Sequence, residues 1–216
     1  MRRLLLATFV LIALVLLVVA VSGRAEFMLG GAVVNLGLRL QDHLEPYDPS
    51  GSLILEPEQI FERLLEQNLA ASKVRSYFPS SVRHPLVAMV VCMDARIDTS
   101  ELVGDTRRYY YVIRTAGSVL GPQEQDMLEL AVENGVKLVL LTTHSECAAE
   151  RVARDPVQRA RYPDLARAVD ERARRDQELL QRPALATRIA RGELLVRHVH
   201  IDTANAYMSP RPGAGR

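Results

Sequence analysis

Continuous apolar runs alternate along the chain with longer segments in which apolar residues recur at helical spacing. The runs Leu86–Cys92 and Lys137–Thr143 predict strands that are buried on both faces of a sheet. Tyr109–Ile113 is rich in aromatic and β-branched residues and predicts a further strand, and Leu194–Ile201 predicts the last one. These patterns are typical of strands covered by other elements rather than facing water.

Helical spacing and proline or glycine boundaries predict the helices between these strands. They run from Pro57 to a point before Pro79, from Pro122 to Asn134-Gly135, over about Asp164–Leu180, and from Pro183 to Gly192. The charges from Arg167 to Glu178 predict a solvated helix face. Strands that alternate with helices indicate an α/β fold with a mainly parallel sheet flanked by helices.

The first 25 residues have a different pattern. Arg2 and Arg3 precede an uncharged apolar run from Leu4 to Val21, which as a helix would be roughly 27 Å long. This pattern predicts one N-terminal transmembrane or signal helix that enters the membrane through residues 4–22. Two interpretations stay open: an uncleaved anchor, which fits the length, and a signal peptide cut after Gly23-Arg24-Ala25.

Because the N-terminal arginines should stay cytoplasmic, the rest of the chain is predicted on the outer side of the membrane, periplasmic or extracytoplasmic, either anchored or secreted. Residues 26–56 are predicted to be a membrane-proximal segment and linker. Residues 57–208 form the predicted α/β domain, and residues 209–216 form a C-terminal tail.

Composition narrows the possible functions of this 216-residue chain. A net charge of +1 argues against nucleic-acid binding driven by bulk charge, and the absence of Trp argues against a base-stacking platform. The two cysteines allow one disulfide, one metal site or two core thiols.

Both cysteines fall where predicted strands end. Cys92 ends the first strand and is followed by Asp94 and Arg96, while His144 and Cys147 follow the third strand. In parallel sheets, ligand sites lie beyond the carboxyl ends of the strands. Two thiolates and an imidazole are ligands that suit Zn²⁺, and three protein ligands leave a fourth position free.

Three motifs in order along the chain resemble those of β-class carbonic anhydrases. They are Cys-x-Asp-x-Arg at Cys92–Arg96, Arg-x-Ala-Gly at Arg114–Gly117, and His-x-x-Cys at His144–Cys147, and the similarity runs from about Pro85 to Ala206. The resemblance implies one Zn²⁺ per chain and reversible hydration of CO₂ to bicarbonate through a zinc-bound hydroxide. It also implies at least a homodimer, with the helix from Pro57 packing across the interface.

The resemblance also assigns roles to residues of this chain. It implies that Cys92, His144 and Cys147 bind zinc. It implies that Asp94 and Arg96 form a dyad in which the guanidinium keeps the carboxylate ionised and away from the metal. Arg114, Ala116 and Gly117 are the predicted substrate pocket.

Three positions depart from the pattern of that family, namely Thr115, Glu146 and Ala148. They motivate a second hypothesis, in which the chain is a hydrolase that acts on carbonyl sulfide or carbon disulfide at the same zinc site. A zinc-binding protein without turnover and a Cys92–Cys147 disulfide in an exported protein also stay open.

Overall fold

The computed structural model describes residues 8–12, 14, 18, 22–41, 56–78 and 83–211. By their internal contacts the residues group into two compact units, 1–81 and 82–216. Much of the predicted N-terminal span, residues 42–55 of the predicted membrane-proximal segment and linker, and residues 212–216 of the C-terminal tail lie outside the described residues. Within the described part of the chain, no helix has both the length and the apolar character needed to cross a membrane.

The helices of the first unit whose bounds lie in the described part of the chain are α1 (Gly23–Gln41) and α2 (Pro57–Tyr77). The sequence predicted α2, which begins at a proline, and its start is capped by a hydrogen bond from the Glu56 N–H to the Gln59 side chain (3.1 Å). It did not predict α1. No residue of α2 is buried, and its apolar side chains, Ile60, Phe61, Leu64, Leu65 and Leu69, are exposed.

The second unit is built on a five-stranded sheet in the order β2-β1-β3-β4-β5. Its strands are β1 (Val87–Cys92), β2 (Tyr110–Thr115), β3 (Leu138–His144), β4 (Leu195–Asp202) and β5 (Tyr207–Pro210). The first four strands are parallel, and β5 pairs with β4 in the antiparallel direction. The predicted mainly parallel sheet is therefore confirmed, whereas the short edge strand β5 was not predicted.

The helices of this unit include several that were not predicted. Within residues 83–211, all the α-helices are α3 (Thr99–Val103), α4 (Thr106–Tyr109), α5 (Pro122–Glu133), α6 (Ala148–Arg154), α7 (Pro156–Arg161), α8 (Pro163–Asp170), α9 (Arg172–Leu180) and α10 (Pro183–Ala190). Those not predicted are α3, α4, α6 and α7. The segment predicted as one helix over Asp164–Leu180 is two helices, α8 and α9, separated at Glu171. That residue keeps helical backbone angles, so the interruption is local.

The sheet carries a hydrophobic cluster on each face, because alternate residues of β1 point to opposite sides. Ala88 and Val90 pack with Leu128 of α5 and Leu179 of α9. Met89 and Val91 belong to the other cluster, which includes Ile97, Ala149 and Ile201. Helices therefore cover both faces of the sheet, as expected from strands without polar alternation.

Candidate metal centre

The ends of β1 and β3 bring three metal-binding side chains together. Cys92 is the last residue of β1, His144 is the last residue of β3, and Cys147 immediately precedes α6. One ligand atom from each of the three lies within 4.8 Å of the other two, and all three residues are buried. Both cysteines are free thiols, so they do not form a disulfide in this structure.

Hydrogen bonding orients the imidazole toward this cluster. His144 Nδ1 lies 3.0 Å from the Ser145 carbonyl oxygen, to which it donates. That bond fixes the tautomer in which Nε2 carries a lone pair. Nε2 is buried and has no partner among the described residues. A buried nitrogen without a partner is costly, and a metal ion bound by the two thiolates would satisfy it.

The pKa values of the Cys92 and Cys147 thiols shift in opposite directions. A hydrogen bond from the Cys147 thiol lowers the pKa of Cys92 to about 4, although burial acts in the opposite direction. Donation to Cys92, and then burial, raise the pKa of Cys147. The pair therefore holds one thiolate readily, and a bound cation would displace the remaining proton. Two sulfurs and one imidazole nitrogen match the ligands of catalytic zinc sites, with one tetrahedral position left over.

Asp94 and Arg96 form a bidentate pair beside this cluster. Arg96 Nε donates to Asp94 Oδ1 (3.0 Å), and Arg96 Nη2 donates to Asp94 Oδ2 (2.9 Å). The hydrogen bonds from Arg96 lower the pKa of Asp94 to about 2. The carboxylate is therefore ionised at neutral pH, and the fork of the guanidinium fixes its direction.

Glu146 completes the surroundings of Arg96. Its carbonyl oxygen accepts from Arg96 Nη2 and its carboxylate accepts from Arg96 Nη1, both at 3.2 Å. Glu146 has a left-handed backbone (φ 54°), which is unusual for a residue with a side chain. The dyad is thus tied to the turn between His144 and Cys147, a role that the sequence did not reveal.

The predicted pocket residues lie at the end of β2 and directly after it, and β2 pairs with β1. Arg114 donates to the carbonyl oxygens of Ile97 and Asp94 (3.3 Å for Asp94), so it holds the turn that carries the dyad. Ala116 and Gly117 form a 3₁₀ turn, and the Gly117 N–H donates to Cys92 Sγ (3.3 Å). A cleft of about 530 Å³ opens beside Cys147 and runs along α6 from Glu146 to Asp155.

Comparison with known proteins agrees with this geometry. A family profile described as carbonic anhydrase matches residues 87–186. Residues 87–186 are therefore similar to the carbonic anhydrase family. The matched segment contains all three candidate ligands and the Asp94/Arg96 pair. Among curated proteins, none matches the chain.

Solved structures share the carbonic anhydrase fold at low sequence identity. A tetrameric β-carbonic anhydrase of Sordaria macrospora is 18% identical with a TM-score of 0.56, and covers 73% of this chain and 98% of its own. The enzyme of Aspergillus fumigatus is 18% identical with a TM-score of 0.54, covering 73% and 93%. A carbonic anhydrase of Streptococcus mutans is 16% identical with a TM-score of 0.53, covering 73% and 99%. These similarities establish the α/β fold.

Proposed function

We propose that this chain is a zinc-dependent carbonic anhydrase that catalyses the reversible hydration of CO₂ to bicarbonate and a proton. The observation that carries this proposal is the buried cluster of Cys92, His144 and Cys147, in which His144 Nε2 has no partner among the described residues. The carbonic anhydrase profile that spans the cluster supports the same activity.

The side chains in and around the cluster would have separate roles. Cys92, His144 and Cys147 would hold the zinc, which when bound supplies a Lewis acid that lowers the pKa of a water molecule. Asp94, ionised because Arg96 donates to it twice, would accept a hydrogen bond from the attacking water and orient one of its lone pairs toward CO₂. The guanidinium also restrains Asp94 from turning into the ligand cluster.

Stopped-flow measurement of CO₂ hydration by the zinc-loaded full-length protein tests this proposal. We expect hydration at mildly alkaline pH that falls at least about 100-fold in Asp94→Asn, because an amide cannot act as the same acceptor. The matched control is Asp105→Asn, which removes another carboxylate that accepts from an arginine two residues later. A protein that holds one zinc per chain and hydrates no CO₂ would contradict the proposal, and sulfide release from carbonyl sulfide or carbon disulfide would then be assayed.

We also propose that the protein forms at least a homodimer in which α2 packs against a second copy. The helix presents Phe61, Leu64 and Leu65 with more than a third of each side chain exposed, and it buries none of its residues. An apolar face of this kind is stabilised when another surface covers it. Sedimentation velocity should show a smaller species for Leu64→Glu, whereas Ala70→Glu on the opposite face should keep the wild-type mass. Equal masses for the two variants would contradict this assembly.

The proposed location is the outer side of a membrane, reached through the N-terminal segment. The proposal depends on the apolar run after Arg2 and Arg3 and on its length. Two measurements on the expressed full-length protein distinguish an anchor from a cleaved signal peptide. They are its intact mass and its presence in washed membrane fractions. Retention of residues 1–25 in a salt-washed membrane fraction indicates an anchor, and a soluble product that has lost them indicates a signal peptide. A full-length product in the soluble fraction would contradict both.

A further inference from the structure

The segment from Thr115 to Leu120, here called the β2 loop, touches the ligand cluster through its backbone. The Gly117 N–H lies 3.3 Å from Cys92 Sγ and donates to it. Gly117 and Ser118 both have a left-handed backbone, with φ of 63° and 56°. Glycine adopts this conformation without steric cost, whereas Ser118 keeps it only where the surroundings hold it. The geometry of the sulfur contact therefore depends on what fixes the β2 loop.

Arg172, the first residue of α9, holds the same glycine from the other side. Its Nη2 donates to the Gly117 carbonyl oxygen at 2.8 Å, and its Nη1 donates to Glu150 Oε1 at 2.8 Å. The Arg172 side chain is 13% exposed and the Glu150 side chain is 22% exposed, so both bonds are shielded from water. Burial alone would raise the pKa of Glu150, but the hydrogen bond and charge of Arg172 produce a net lowering. Gly117 is thus held at its N–H by a metal-binding sulfur and at its carbonyl by a charged pair.

We propose that Arg172, held in place by Glu150, is a positioning residue that keeps the Gly117 N–H on the Cys92 sulfur and so sets the donor strength of that ligand. This inference rests on the proposed zinc site. An N–H donated to a thiolate withdraws electron density from sulfur, which weakens its donation to a metal and stabilises the charged form. Arg172 needs a planar fork to bridge a carboxylate and a carbonyl oxygen together, and lysine lacks one.

A second arginine of α9 provides a matched control. Arg175 Nη1 donates to the Leu120 carbonyl oxygen at 3.2 Å, and Arg175 Nη2 donates to Glu171 at 2.9 Å. It therefore lies on the same helix and holds the same loop by the same kind of bond. Its contact is three residues beyond Gly117 and does not include a ligand of the cluster. A general effect of removing a loop contact should appear equally at both arginines.

The test uses cobalt-substituted full-length protein, in which the sulfur-to-cobalt charge-transfer band reports the electron density on sulfur. In Arg172→Met we expect this band to move to lower energy, because the loss of the N–H donor makes the thiolate easier to oxidise. We also expect zinc affinity, measured by competition with a coloured chelator, to fall about tenfold or more, because Cys92 is no longer held in position and this loss of orientation outweighs the stronger donation of the freed sulfur. In Arg175→Met we expect both quantities to match the wild type. Arg172→Lys keeps the charge and should shift the band in the same direction by a smaller amount.

The outcomes separate this inference from the proposed activity. Equal bands and affinities for Arg172→Met and Arg175→Met would overturn it, whatever the rate of CO₂ hydration. If Arg172→Met fails to fold, an unshifted band in Arg172→Lys would overturn it equally. A band shift confined to the Arg172 variants would support it even if the wild-type protein hydrated no CO₂, a result that would contradict only the proposed function.

Discussion

Gly117 and Gly192 share a left-handed backbone but differ in what surrounds them. Their φ angles are 63° and 70°, and a side chain in this conformation costs about 1–2 kcal/mol. A Cβ on Gly117 would lie 3.2 Å from Ala149 Cβ and 3.3 Å from Arg172 Nη2, whereas a Cβ on Gly192 would meet nothing within 4 Å.

We therefore expect Gly117→Ala and Gly192→Ala to lose a similar backbone contribution to the free energy of unfolding, while only Gly117→Ala disturbs the metal centre. Zinc affinity should fall about tenfold or more in Gly117→Ala, because the alanine pushes the β2 loop away from Cys92. Urea unfolding and chelator competition measure the two effects. Unchanged zinc affinity in Gly117→Ala would show that the contact between the loop and the sulfur is not needed.

Glu146 departs from the family pattern, yet its substitution should matter little. Its side chain is 80% exposed, so the ion pair with Arg96 is weakened by solvent. Its backbone carbonyl, which also accepts from Arg96, is kept in any variant. We expect Glu146→Gln to retain CO₂ hydration within a fewfold of the wild type. A loss as large as the one expected for Asp94→Asn would mean that the Glu146 carboxylate takes part in the reaction.

Single residues of the site differed in how far the sequence could reveal them. Cys92, His144 and Cys147 could be found because thiol and imidazole groups are rare and all three lie at or just after the ends of predicted strands. Arg172 could not, because it stands in a run of charges predicted to be a solvated face, and yet it is largely buried against Gly117. A sequence of charged residues does not indicate which guanidinium turns inward, since that depends on tertiary packing.

The contact between α5 and α10 depends on one carboxylate that is mostly shielded from water. Glu129 is 18% exposed, accepts from Arg182 Nε (2.6 Å) and also accepts from the Ala184 N–H (3.1 Å), which lies in the first turn of α10. Glu129 of α5 therefore forms an ion pair with Arg182 and also caps the first turn of α10, so it connects the two helices.

We expect Glu129→Gln to lower the free energy of unfolding by about 1–3 kcal/mol, since a hydrogen bond to a charged group in a shielded place is weakened. Glu178→Gln in α9 is the control, because its pair with Arg174 is about half exposed on both sides and should contribute less than about 0.5 kcal/mol. Urea unfolding of the two variants checks the difference. Equal changes would mean that the Glu129 contacts do not stabilise the helix pair.

Elements with a long apolar signal were predicted, and short elements were not. β1 and β3 are continuous buried runs, so their positions agree with prediction to within one residue. The helices α3 and α4 have five and four residues and owe their starts to caps, with Asp98 and Asp105 accepting backbone N–H groups. β5 has four residues and ends in proline, and it forms only through pairing with β4 at the sheet edge. Segments this short cannot show a period.

At the scale of the whole molecule, the candidate centre links distant parts of the second unit. Cys92 ends β1, His144 ends β3 and Cys147 follows it, so Cys92 lies about 50 residues along the chain from the other two ligands. A metal ion bound to all three would favour the folded state, because the unfolded chain does not hold the ligands together.

Removal of zinc should therefore lower the thermal stability of the full-length protein. Free zinc at 100 times its dissociation constant adds about 2.7 kcal/mol to the free energy of unfolding, which corresponds to several degrees in melting temperature. We expect a strong chelator to lower the melting temperature of the wild type and to have little effect on Cys92→Ser, which has already lost a ligand. Calorimetry with and without chelator checks this. A wild-type protein that melts at the same temperature in both conditions would show that no metal joins β1 to β3.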